Sequence, residues 1–129
     1  MSFFRWTLAF STMTQDSRIA IIELLFLSLY MDDHLSLAED DVLTDALASL
    51  GWESEHPRER FIFSAFASAR EAYADFEKAQ AYFASRADLI RKDGCEGKAL
   101  TWLSRVLAAD GLTTSEKYFL GRLEKHFYP

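Results

Sequence analysis

The chain is short of everything that commonly staples, kinks or anchors a small protein. It has one cysteine, Cys95, so no disulfide can form within it, and a reducing cytoplasm is the simplest compartment. Two prolines and five glycines in 129 residues leave few places to break a helix. Alternating β-branched stretches are missing, so strands are not expected. Cations are also scarce, at 14 Lys and Arg against 20 Asp and Glu, for a formal charge of -6 and a pI near 5.0. A nucleic-acid binder needs the opposite balance, because phosphate affinity rests on Lys and Arg. The longest apolar run, Ile19 to Met31, contains Glu23 and Ser28 and falls well short of the roughly 20 residues that span a bilayer. The opening residues are interrupted by Ser11, Thr12 and Thr14 and carry no convincing cleavage site, so a signal peptide is not expected.

What is present is apolar material and helical spacing. Half the residues are hydrophobic and 15% are aromatic, enough for one core without a metal. The pattern predicts a single all-α domain over 1–129, a bundle of about six to seven helices. Asp16 is a good N-cap for a first helix to Met31, apolar all round and therefore central. A second helix runs from about Leu37 to Leu50 and stops at Gly51. From Pro57 to Lys92 the text reads as one long helix, or as two joined near Tyr73 to Phe76 with Asp75 as a cap. The apolar set Ile62, Phe66, Ala69 and Tyr73 keeps helical spacing. Asp93 and Gly94 end the stretch, and further helices cover about Glu96 to Ala109 and Thr114 to Phe127.

The charge is segregated along the chain. Residues 1–56 hold ten acids and two bases, whereas 57–129 hold ten acids and twelve bases. Much of the excess sits in Asp32, Asp33, Glu39, Asp40, Asp41 and Asp45. That segment is half of an internal repeat: Asp33-His34-Leu35-Ser36-Leu37-Ala38-Glu39 aligns with Asp110-Gly111-Leu112-Thr113-Thr114-Ser115-Glu116 at an offset of 77, sharing the pattern D-x-L-[ST]-x-x-E. The apolar register agrees on both sides, Leu25, Phe26 and Leu29 matching Trp102, Leu103 and Val106 before the motif. Val42, Leu43 and Leu50 match Phe119, Leu120 and Phe127 after it. Ser36 with Glu39, and Thr113 with Glu116, have the spacing of capping boxes. Gly111 can take the left-handed conformation that stops a helix, and His34 stands in its place in the first copy. The repeat halves are about 16–51 and 95–128, joined by the helical segment 57–93.

A buried helix ending in Ala108-Ala109-Asp110-Gly111, followed by Leu112-Thr113 and Glu116, resembles the hallmark of the tellurite-resistance TerB-like domains. The resemblance covers about residues 16–127, and the first copy departs from it where Asp32-Asp33-His34 replaces Asp-Gly. It implies an all-helical domain with an internal duplication, non-catalytic, associated with tellurite resistance and stress responses. It also implies protein partners, membrane-associated ones among them, at the inner face of the membrane, and a candidate divalent-metal site at Asp33, Glu39, Asp110 and Glu116.

Two readings of the acidic turns stand side by side. Asp32, Asp33, Glu39, Asp110 and Glu116 can offer carboxylates to a hard divalent cation, with His34 beside them. The same residue types are what helix caps and turns require. An EF-hand is excluded, since the twelfth positions from Asp33 and Asp110 are Thr44 and Gly121 where a bidentate Glu is needed. His34, His56 and His126 lack zinc spacing. Gly94-Cys95-Glu96-Gly97-Lys98 is too short for a phosphate loop and reads as an interhelical connection. Glu23, inside the apolar first helix, is either a perturbed carboxylate or one paired with an Arg. Phe3, Phe4, Trp6, Phe10, Phe127 and Tyr128 either pack across the bundle or form a partner, dimer or membrane-surface contact. The function expected is that of an interaction module; the alternatives are a metal-dependent hydrolase using the carboxylates, and a structural adaptor.

Overall fold

The computed structural model describes residues 13–31, 58–108 and 113–129. Among these residues the chain is all-helical, with five helices and no strand: α1 (Gln15–Met31), α2 (Arg58–Tyr73), α3 (Phe76–Lys92), α4 (Glu96–Ala108) and α5 (Thr114–Phe127). The expected helix Leu37–Leu50 lies outside the described residues, and with it the first copy of the repeat motif.

Helix α1 is the axis of the bundle because its apolar residues leave no polar stripe. Ile21, Ile22, Leu24, Leu25, Phe26, Leu27 and Leu29 are all buried, and α2 and α3 make the most extensive contacts with it. A helix buried on every side has no solvent face to shed, so its position is fixed by the helices around it. Its start differs from expectation. The cap is Thr14, whose Oγ1 accepts the Ser17 N–H at 3.1 Å, and Asp16 stands exposed in the first turn.

Helix α2 meets α1 through small residues. Ala65, Ala69 and Ala72 are buried at i, i+4, i+7 spacing, which lets the backbones approach, and Phe66 stacks on Phe26 with ring centroids 4.3 Å apart. Tyr73, which keeps helical spacing with Ala69, is 48% exposed. It follows Ala72 by one helical step of roughly 100°, enough to carry it past the edge of the buried stripe. Helix α3 begins after a gap of two residues, Ala74 and Asp75, because Asp75 is extended and its Oδ1 accepts the Glu77 and Lys78 N–H groups at 2.8 and 3.3 Å.

Helix α3 ends in a Schellman turn. Gly94 takes φ 72°, its N–H reaches Arg91 O at 3.0 Å, and the Cys95 N–H reaches Ile90 O at 3.2 Å. Helix α4 follows directly, so Gly94 to Lys98 is a turn plus a first helical turn, as the spacing suggested. Trp102, Leu103, Val106 and Leu107 of α4 and Phe119, Leu123 and Phe127 of α5 complete the core.

Candidate functional site

The polar groups that sequence reasoning singled out serve the fold wherever they are described. Thr113 and Glu116 form the expected capping box: Thr113 Oγ1 accepts the Glu116 N–H at 3.1 Å, and Glu116 Oε1 accepts the Thr113 N–H at 3.0 Å. Glu116 is 1% exposed. Asp32, Asp33, Glu39 and Asp110 lie outside the described residues, as do His34 and His56. Among the described residues no group of three or more His, Cys, Asp or Glu side chains is arranged to hold a metal ion. His126 Nε2 lies 2.7 Å from Asp88 Oδ1. No helix among the described residues is long and apolar enough to cross a membrane.

Glu23 is partnered rather than isolated. Its Oε2 accepts Arg86 Nη2 at 3.0 Å and the Tyr82 hydroxyl at 3.3 Å, while the Arg86 guanidinium lies over the Tyr82 ring at 3.9 Å. Burial, with the Glu23 carboxylate beside it, pushes the Tyr82 phenol far above its ordinary value of 10.0. That phenol stays protonated and acts as a donor holding α3 against α1.

Asp93 has a similar role at the other end of α3. Its Oδ2 accepts the Thr14 N–H at 3.1 Å, the Thr14 hydroxyl at 2.9 Å and the Ser17 hydroxyl at 2.7 Å. Burial alone would raise its pKa, but these donors outweigh that and hold the carboxyl below its usual range. Cys95 Sγ lies 3.6 Å from the same oxygen. Burial and the Asp93 carboxylate push the Cys95 thiol up, which makes it a poor nucleophile.

Among the described residues several large aromatic side chains are open to solvent. Phe76 is 77% exposed, Tyr118 is 64% exposed, and Tyr73 borders Phe76 across the α2–α3 corner. Tyr73 and Phe76 border a groove of about 250 Å³, with Leu27 of α1, Ala79 and Phe83 among its apolar walls and Arg122 of α5 on one side. Arg122 is held by its neighbours: Nη2 donates to Gln80 Oε1 at 3.1 Å, and the guanidinium lies 4.9 Å from the Phe83 ring centroid and 5.9 Å from that of Tyr118. Phe83 is itself fixed edge-on against Phe119 at 5.4 Å. The lining of the groove offers apolar surface and the N–H donors of Arg122.

Sequence reasoning missed this corner. Of the flagged terminal aromatics, Phe127 is buried and Tyr128 is 55% exposed, while Phe3, Phe4, Trp6 and Phe10 lie outside the described residues. The available signal was Asp75, since a cap between Tyr73 and Phe76 makes a corner and leaves the residues on either side of it at a helix end. No protein-family model, no curated protein and no solved structure matches the chain.

Proposed function

We propose that this chain is a non-catalytic interaction module of the TerB-like kind, working through protein partners in a stress response that includes tellurite resistance. The observation that carries the interaction reading is the aromatic corner: exposed Tyr73 and Phe76 line the α2–α3 groove, and exposed Tyr118 lies next to its Arg122. Large exposed aromatics beside a fixed Arg are the residue types that dominate protein interfaces. The charged groups at Glu23, Asp93 and Glu116 hold helices together, which is the division of labour expected of a scaffold that presents a surface.

The TerB-like assignment and its duplication rest on the D-x-L-[ST]-x-x-E pattern. They are supported by the Thr113–Glu116 capping box and by the burial of Leu25, Phe26 and Leu29 together with their counterparts Trp102, Leu103 and Val106. On this reading the full bundle has six to seven helices within one domain, and the protein works in the cytoplasm at the inner face of the membrane. A divalent ion at the acidic turns belongs to the same reading through sequence alone. For Glu116 to ligate it through Oε1, that oxygen would have to be shared with or released from the Thr113 N–H.

The test is complementation. A deletion strain carrying wild-type protein survives tellurite and oxidative stress, and one carrying the double variant Phe76→Ala with Tyr118→Ala, folded and equally abundant, does not. Full rescue by that variant would remove the aromatic corner from the function.

A further inference from the structure

Resting on the interaction reading, we infer that the α2–α3 groove takes an acidic peptide segment of a partner protein, a large apolar side chain filling the groove while a neighbouring carboxylate meets Arg122. At about 250 Å³ the groove lies below the roughly 300–1,000 Å³ of small-molecule sites, and it suits a single anchoring side chain. Phe76 on its wall is largely exposed, and the exposed Tyr118 ring lies 5.9 Å from the Arg122 guanidinium, a surface that a small ligand leaves wet and a peptide covers.

The charge points the same way. Arg122 has donors beyond the one given to Gln80, and among the described residues no carboxylate lies against it. Its side chain is already held over two rings, so little freedom is lost when a carboxylate takes two parallel N–H groups. Among the described residues Arg122 is the one charged side chain lining the groove, so the complementary group on an occupant is a carboxylate.

The experiment uses the full chain and fluorescein-labelled synthetic peptides read by anisotropy. One peptide has a central Trp flanked by Glu on both sides, a second replaces the Glu residues by Lys, and a third replaces the Trp by Ala. The Trp–Glu peptide binds, and each of the other two binds at least about tenfold more weakly. Arg122→Gln weakens the Trp–Glu peptide by about tenfold and leaves the Lys peptide unchanged. Arg122→Lys, which keeps the charge and loses the fork, falls between; Phe76→Ala weakens binding, and Leu89→Ala on another exposed position does not. Melting curves identify which variants are folded, and the two Arg122 substitutions back each other up.

Absence of binding by the Trp–Glu peptide, equal binding of all three peptides, or indifference to Arg122 overturns the proposal. So does sedimentation showing that a second copy occupies the groove. Photo-crosslinking to a partner from position 76, with no peptide binding, would leave the interaction surface standing and remove only its acidic chemistry.

Discussion

Asp93 ties the start of α1 to the end of α3 across 79 positions of sequence, and replacing it with Ala is expected to be one of the most damaging single changes outside the apolar core. The substitution removes the acceptor of three N–H and O–H donors, and of the weaker Cys95 thiol, from one carboxylate oxygen. They are not equal. Thr14 is exposed, so water can replace what it loses, whereas Ser17 is 0% exposed and its hydroxyl would be left without that acceptor in a dry site. Charge-assisted bonds contribute about 1.5–3 kcal/mol and an unsatisfied buried donor costs about 1–3 kcal/mol, so Asp93→Ala should lose about 2–4 kcal/mol. For a chain of this length that is a fall in Tm of about 10 °C.

Asp93→Asn keeps an acceptor oxygen and should lose about 1 kcal/mol. In urea denaturation, Ser17→Ala combined with Asp93→Ala should cost less than the two single losses together, because the same bond is removed twice. The effect must also depend on pH. The folded carboxyl gives up its proton more readily than the unfolded one, whose ordinary value is 3.8. The anchor is therefore complete above that value and lost as pH falls through the folded pKa, so wild type and Asp93→Ala should converge in acid. A loss below about 0.5 kcal/mol at neutral pH, within the range of an ordinary surface substitution, would refute the reasoning.

Three further outcomes follow from the other polar contacts. Glu116→Ala should lower stability by about 1–2 kcal/mol through the cap in metal-free buffer; no loss there would contradict the cap, and a further loss appearing only with added calcium, magnesium, manganese or zinc would assign Glu116 as a ligand as well. Arg86→Ala, which strands the Glu23 carboxylate at 14% side-chain exposure, should cost about 1–3 kcal/mol, and adding Glu23→Gln should recover part of it in thermal melts. Cys95 should react with an aromatic disulfide reagent at least about tenfold more slowly in the native protein than in urea, and fast native labelling would contradict its burial.

Much of the fold was legible because it is written locally. The all-round apolar character of Ile21 to Leu29 marks a central helix, Asp75 marks a break, Gly94 marks a stop, and Thr113 with Glu116 marks a start; each is decided within one or two turns of chain. The Glu23 partnership was legible as a class, an apolar helix needing a cation, although nothing in the spacing named Arg86. The candidate site was not legible, because it depends on rotation and approach. Tyr73 keeps helical spacing with Ala69, yet α2 meets α1 through Ala65, Ala69 and Ala72, and that turn of the helix leaves the tyrosine outside. Arg122 reaches the groove only because α5 lies beside α3, a contact between residues 42 positions apart. The acidic turns drew attention by their charge, and their one described member, Glu116, forms a cap.

The central claim is that the aromatic corner is where this protein meets a partner, and site-specific photo-crosslinking in the native host tests it most directly. A photoreactive phenylalanine analogue is placed at position 76, at position 118 and at the control position 89, which is also exposed but lies away from the groove. The account predicts that positions 76 and 118 crosslink to the same protein and that position 89 does not. Equal yields from all three positions, or crosslinks confined to position 89, would contradict it.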